Sequence, residues 1–142
     1  MSARLPSLGL DNGWTCDYFE LEPDLYELMT AQAVPSLAGW SFDRRRVDNW
    51  AAWLQRSFTL EPVDMCINYV LLIDSAPAAT EIHLNGRQAG IYTPPGLDDP
   101  PYELDVTLLV ALGENRIAFR VPWDAPGAFS GVRLQPVPCQ AE

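Results

Sequence analysis

Short segments in which apolar and polar residues alternate, separated by turn residues, organise this chain, and the clearest lie in its second half. Over residues 54 to 60, Leu54, Phe58 and Leu60 fall on one face and Gln55, Ser57 and Thr59 on the other, the period of a half-buried strand. Residues 66 to 74 instead form a continuous apolar run with Val70, Leu71, Leu72 and Ile73 adjacent, which predicts a central strand covered on both faces. Residues 80 to 84 alternate again, with Ile82 and Leu84 inward and Glu81 and His83 outward, and run directly into Asn85 and Gly86. That dipeptide predicts a hairpin, because a type I′ turn needs positive φ at both central positions. Residues 88 to 92 are then the return strand.

Downstream, residues 102 to 107 lead into the apolar stretch 108 to 112, and Gly113, Glu114 and Asn115 turn the chain into a strand over 116 to 121. There Ile117, Phe119 and Val121 share a face opposite Arg116, Ala118 and Arg120, and a last strand is expected over 132 to 137. Asp105 is placed to accept backbone N–H groups of a short turn over 107 to 109, a structural use of a carboxylate. The first half is less regular: residues 14 to 21 suit an edge strand, and residues 23 to 32 suit a short helix opening at Pro23.

Thirteen Pro and nine Gly punctuate the chain, which fits many short strands better than long helices. With 142 residues, one domain spanning residues 1 to 142 is expected, built as an all-β, two-sheet antiparallel sandwich. Charge then narrows the partners. Nineteen acidic residues against nine basic ones, all Arg, give a formal net charge of −10. Neither nucleic acid nor an anionic membrane is an expected partner, since phosphate binding needs positive surface. The N-terminus lacks the apolar core of a signal peptide, so a cytoplasmic location is expected. Cys16, Cys66 and Cys139 are widely and irregularly spaced; buried reduced thiols are expected, with a Cys16–Cys139 bridge as the alternative.

Four pieces in order carry a family resemblance. Residues 53 to 60, with Trp53, Arg56 and Phe58, resemble the aromatic, Arg and Phe strand of the N-terminal sugar-binding domain of family 2 glycoside hydrolases. Residues 81 to 90 resemble its hairpin with an Asn-Gly turn, residues 102 to 107 followed by 113 to 121 resemble its next two elements, and residues 127 to 134 resemble a shortened closing segment. The match spans about residues 50 to 138, with Val34, Pro35, Gly39 and Trp40 as a fainter upstream piece. It implies a jelly-roll sandwich of the galactose-binding-domain-like superfamily. In that family the catalytic carboxylates sit on a separate barrel, for which 142 residues leave no room, so the resemblance implies a non-catalytic carbohydrate-binding module. Its partners would be a galactoside-like or acidic glycan, and a separate catalytic domain or a second copy. The same sandwich also serves as a structural or protein-interaction domain without sugar, which is the alternative.

The residues themselves support no catalytic, metal or cofactor site. Asp98 and Asp99 are adjacent carboxylates in a proline-rich loop, not a pair facing each other across a sugar. His83 is the only histidine, and with Glu81 on its strand face it supplies at most two metal ligands. Arg45, in the triplet Arg44 to Arg46, has the chemistry to grip a uronate or sulfate through bidentate bonds; the plainer account is neutralisation of Asp43 and Asp48. Sugar rings stack on exposed aromatics. Trp50, Tyr92 and Trp123 lie among Pro, Gly and Asp, and are expected to reach solvent. By the resemblance, Asp124 matches an acidic sugar-contacting position, and Asn49 more loosely matches another sugar-contacting loop.

Overall fold

The computed structural model describes residues 6–19, 32–43, 50–96, 100–123 and 125–139. Ten strands and one 3-10 turn follow one another: β1 (Leu8–Gly9), β2 (Asn12–Phe19), β3 (Gln32–Ser36), the 3-10 turn Leu37–Gly39, β4 (Ala51–Leu60), β5 (Ile67–Ile73), β6 (Glu81–Leu84), β7 (Arg87–Ile91), β8 (Tyr102–Asp105), β9 (Gly113–Val121) and β10 (Arg133–Pro138). They form a four-stranded sheet, β1-β10-β5-β8, facing a six-stranded sheet, β3-β2-β4-β9-β6-β7. Every pairing is antiparallel. The result is the two-sheet antiparallel sandwich that the alternation predicts, jelly-roll-like as the resemblance implies.

Alternation decides which side chains fill the space between the sheets. Leu54, Phe58 and Leu60 of β4, and Ile117, Phe119 and Val121 of β9, are all buried, as are Ile82 and Leu84 of β6. Trp14 stacks on Phe119 at 4.9 Å, and Phe119 stacks on Phe129 at 5.2 Å, so a column of three rings bridges the core. The hairpin forms at Asn85 (φ 51°) and Gly86 (φ 83°), as the type I′ turn requires. Asn85 does more than turn: its side chain donates to the Leu109 carbonyl and to Asn115 Oδ1 and accepts the Arg116 N–H. Asn115, itself buried, accepts the Ala111 N–H and donates to the Ala111 and Gly113 carbonyls. Two asparagines therefore pin the hairpin to the connection between β8 and β9. Asp105 accepts both the N–H and the hydroxyl of Thr107, as expected of it.

Several expectations are corrected. β5 is an interior strand, but only its Leu71 and Ile73 are buried; Val70 and Leu72 are half-buried on an outer face that no layer of the described residues covers. An apolar run therefore overstated its burial. β2 is not an edge strand, because β3 pairs along its far side. β9 begins at Gly113, so Asn115 lies in the strand and the turn comes earlier. Cys66 and Cys139 form a disulfide where β5 begins and β10 ends, and Cys16 is buried outside that bridge. Sequence spacing carried no sign of that pair; adjacency of β5 and β10, with the Cys139 N–H on the Cys66 carbonyl, creates it. The helix expected over 23 to 32 falls outside the described residues, apart from Gln32, which opens β3.

Candidate functional site

Strand register sorts the connections into two ends. Ala52 pairs with Val121, so Trp50 and Trp123 leave β4 and β9 side by side. Ile73 pairs with Tyr102, and Glu81 with both Arg120 and Ile91, which brings the 74–80 and 92–101 connections to the same end. Of the six expected binding residues, Trp50, Trp123 and Tyr92 adjoin strand ends on this side. Asn49, Arg45 and Asp124 lie outside the described residues; Trp50, Trp123 and Tyr92 do not.

The long loop after β9 is stitched down. Ser75 and Ser130 form a β-bridge, the Ser75 hydroxyl donates to the Ala128 carbonyl at 2.7 Å, and the Ala78 N–H reaches the Pro126 carbonyl at 2.9 Å. Phe129 is buried and acts as the plug between the sheets. Gly131 sits at φ 63°, where a Cβ would collide with the Asp74 carboxylate. At the start of this loop, Trp123 is 38% exposed. Trp50 is half-buried and packs against the core. Tyr92, expected at the surface, is only 4% exposed: its ring lies 5.4 Å from Tyr102 and its N–H bonds Thr80. Proline- and glycine-rich surroundings marked its loop but not the direction of its ring. Tyr102 donates to the Ile91 carbonyl, and burial pushes its phenol above the usual value of 10.0.

On the outer face of the six-stranded sheet, both oxygens of Glu81 are used: Oε2 accepts from Arg120 at 2.9 Å and Oε1 lies 3.2 Å from His83 Nε2. His83 also packs against the Trp53 ring at 5.1 Å and is buried, more covered than a surface strand residue. This is a cross-strand cluster built for packing. The Trp53 indole N–H is buried with no acceptor among the described residues. Arg56, the arginine of the strand quoted above, donates to the Asn12 and Ser57 carbonyls, and partial burial lowers its pKa. It braces β2 against β4. Among the described residues no group of three or more His, Cys, Asp or Glu is assembled to hold a metal.

Sequence reasoning missed a pocket of about 430 Å³ on the flank of the sandwich. β2 and β3 form one wall, and residues 39–43, crossing back after the 3-10 turn, form the other. Trp40, Tyr18 and Asp43 line it. The sequence signal was the fainter upstream piece, Val34, Pro35, Gly39 and Trp40, all four of which line it.

No family model matches the chain. No curated protein matches it in sequence either. Solved structures do match in shape. A glycosyl hydrolase family 2 member from Bacteroides cellulosilyticus superposes with a TM-score of 0.71 at 19% identity, covering 94% of this chain and 21% of that one. The fold is shared with family 2 glycoside hydrolases. A β-glucuronidase from an uncultured Clostridium gives 0.68 at 20% identity, over 97% of this chain and 31% of its own. A Bacteroides uniformis β-glucuronidase gives 0.71 at 16%, over 94% and 18%. The chain thus spans between about a fifth and a third of the length of these structures, and the likeness is one of fold.

Proposed function

We propose that this chain is a non-catalytic carbohydrate-binding domain of the kind that accompanies family 2 glycoside hydrolases, recognising a glycan at the Trp50 and Trp123 end of the sandwich. The observation that carries the reading is the exposed Trp123 indole, which follows β9 where that strand pairs with the start of β4, on a loop held by the buried Phe129 and the Ser75–Ser130 bridge. Trp123 would stack on the C–H face of a sugar ring, and Asp124 and Asn49 would bond vicinal hydroxyls. Arg45 would add a bidentate partner for an acidic glycan, a ligand class supported by structural neighbours named as β-glucuronidases. Tyr92 takes no part, because its ring is enclosed.

Each stacked ring contributes about 0.5–1.5 kcal/mol beyond area burial, and millimolar affinity requires about 4 kcal/mol. Binding by one copy is therefore weak, and tethering to a catalytic domain would raise it by avidity. Titration with neutral and acidic oligosaccharides, followed by NMR of the indole N–H signals, tests this. Trp123 should shift, and Trp123→Ala should weaken binding by about 1 kcal/mol or more. Silence at tens of millimolar across both glycan classes would end the sugar reading.

One observation favours the alternative, an interaction domain. Val63, Met65, Leu108, Leu112 and Val137 are exposed, and all lie at the opposite end, near the Cys66–Cys139 bridge and the β8–β9 connection. Leu108 is 94% exposed. Apolar residues gathered on one end mark a surface for another protein.

A further inference from the structure

We infer that Asn12 and Gly13 form a spontaneous modification site, at which the Asn12 amide is converted to aspartate and isoaspartate in the folded chain, while the second Asn-Gly pair, Asn85 and Gly86, is protected by its hydrogen bonds. The reaction needs water and no ligand or enzyme, so the site stands apart from the glycan reading above.

The chain carries two Asn-Gly pairs, Asn12-Gly13 and Asn85-Gly86. Glycine has no Cβ to crowd its nitrogen, so that nitrogen can approach the carbonyl carbon of the preceding side chain. At the first pair the Gly13 nitrogen bonds to Asn12 Cγ, the bond from Cγ to Nδ2 breaks, and ammonia leaves with the proton that the Gly13 N–H gives up. Water then opens the resulting succinimide ring. Opening at Cγ restores the ordinary peptide link and leaves aspartate at position 12; opening at the main-chain carbonyl carbon leaves isoaspartate, with the chain running through Cγ. The balance is amide plus water to carboxylic acid plus ammonia, and nothing is oxidised or reduced.

The fold decides which pair reacts. The Asn85 amide donates to the Leu109 carbonyl at 2.8 Å and to Asn115 Oδ1 at 2.9 Å, and its oxygen accepts the Arg116 N–H at 2.9 Å. Turning its Cγ toward the Gly86 nitrogen would give up all three bonds. Asn12 has no such restraint. It is exposed, its main-chain carbonyl accepts from Arg56, and its side chain bonds no described residue. Pairing of β2 with β4 begins at Thr15, so residues 12 and 13 have a strand beside them only on the β3 side. Gly13 is also exposed, at φ 79°, and a Cβ built there meets nothing within 4 Å, which leaves room for the ring.

The two products act differently on the sandwich. Aspartate leaves the backbone unchanged and adds a carboxylate near Arg56, whose guanidinium already bonds the carbonyl of residue 12 at 2.6 Å. Isoaspartate lengthens the main chain by a methylene between the Asn12–Ser36 and Trp14–Val34 pairs, so both pairs cannot keep their register. The Leu37 N–H, bonded to the Asp11 carbonyl at 2.7 Å, lies beside that break and reports it.

The full chain is aged in mildly alkaline buffer, folded and in parallel in urea, then digested, and the peptides carrying Asn12 and Asn85 are compared by mass spectrometry, with fragmentation that tells isoaspartate from aspartate. In the folded chain Asn12 should convert at least about tenfold faster than Asn85, the ratio that a barrier difference of about 1.4 kcal/mol produces. In urea, where the Asn85 bonds are lost, the two rates should converge. Asn12→Gln, whose longer side chain closes the ring poorly, should leave the folded chain unmodified. Hydrogen exchange at the Leu37 amide should quicken in the isoaspartate fraction and stay slow in Asn12→Asp. An Asn12 that stays intact in the folded chain, or an Asn85 that converts as fast, overturns the site. A Leu37 amide that exchanges alike in the isoaspartate fraction and in Asn12→Asp overturns the register effect.

Discussion

Asn85 shows how much one side chain can carry. Its positive φ makes the type I′ turn, and its amide ties the hairpin to the Leu109 carbonyl, Asn115 and the Arg116 N–H. Asn85→Ala should lose both roles and cost about 1–3 kcal/mol in urea unfolding, whereas Asn85→Gly keeps the turn and should recover part of that loss. Asp105 is the titrating counterpart. The Thr107 hydroxyl first, and its N–H second, hold this carboxyl below its usual value of 3.8. A depressed folded-state pKa contributes stability above the unfolded value, and that contribution disappears as pH falls through the folded pKa. Thr107→Val should therefore raise the Asp105 pKa in an NMR titration, and Thr107→Ser should leave it low. Both residues were legible in the sequence, because Asn-Gly turns and carboxylates just ahead of a turn act through neighbours a few positions away. Tyr92 was not, since the direction of a loop ring depends on a partner, Tyr102, that only the fold supplies.

Among the elements, β5 and β10 are joined twice, by six paired positions and by the Cys66–Cys139 bridge across a sequence separation of 73. Closing a loop of that length removes about 4 kcal/mol of chain entropy from the unfolded state. The Cys66→Ser, Cys139→Ser double variant should lose much of that in equilibrium unfolding, and adding a reductant to the parent should reproduce the loss. Such a bridge persists where the compartment is oxidising. The strands with strict alternation, β4, β6 and β9, were readable because one face meets the core and the other meets solvent, so period two is written directly in residue type. β5 was readable as a strand but not in its depth, since an apolar run gives no account of which face lacks a covering layer. β2 read as an edge because β3, short and carrying Pro35, gave too little pattern to predict its pairing.

At the scale of the whole molecule, the sandwich holds its loop end in place from inside. Phe129 reaches back from the last long loop to stack on Phe119 and touch Trp40, joining the core, the Trp123 loop and the flank segment in one contact. Phe129→Ala should cost about 3–5 kcal/mol in thermal or chemical unfolding. It should also weaken the glycan binding proposed at Trp123, because the loop loses its anchor; titration at a temperature where the variant stays folded reads this.

By itself the sequence determined the class of fold, most of the strands, the hairpin, the Asp105 turn and the acidic character, all properties set by residue type and by neighbours a few positions apart. Only the tertiary structure decided which cysteines meet, which rings face solvent, and that β3 and the segment behind it enclose a pocket. Those outcomes depend on pairing between residues tens of positions apart, and local alternation carries no information about them.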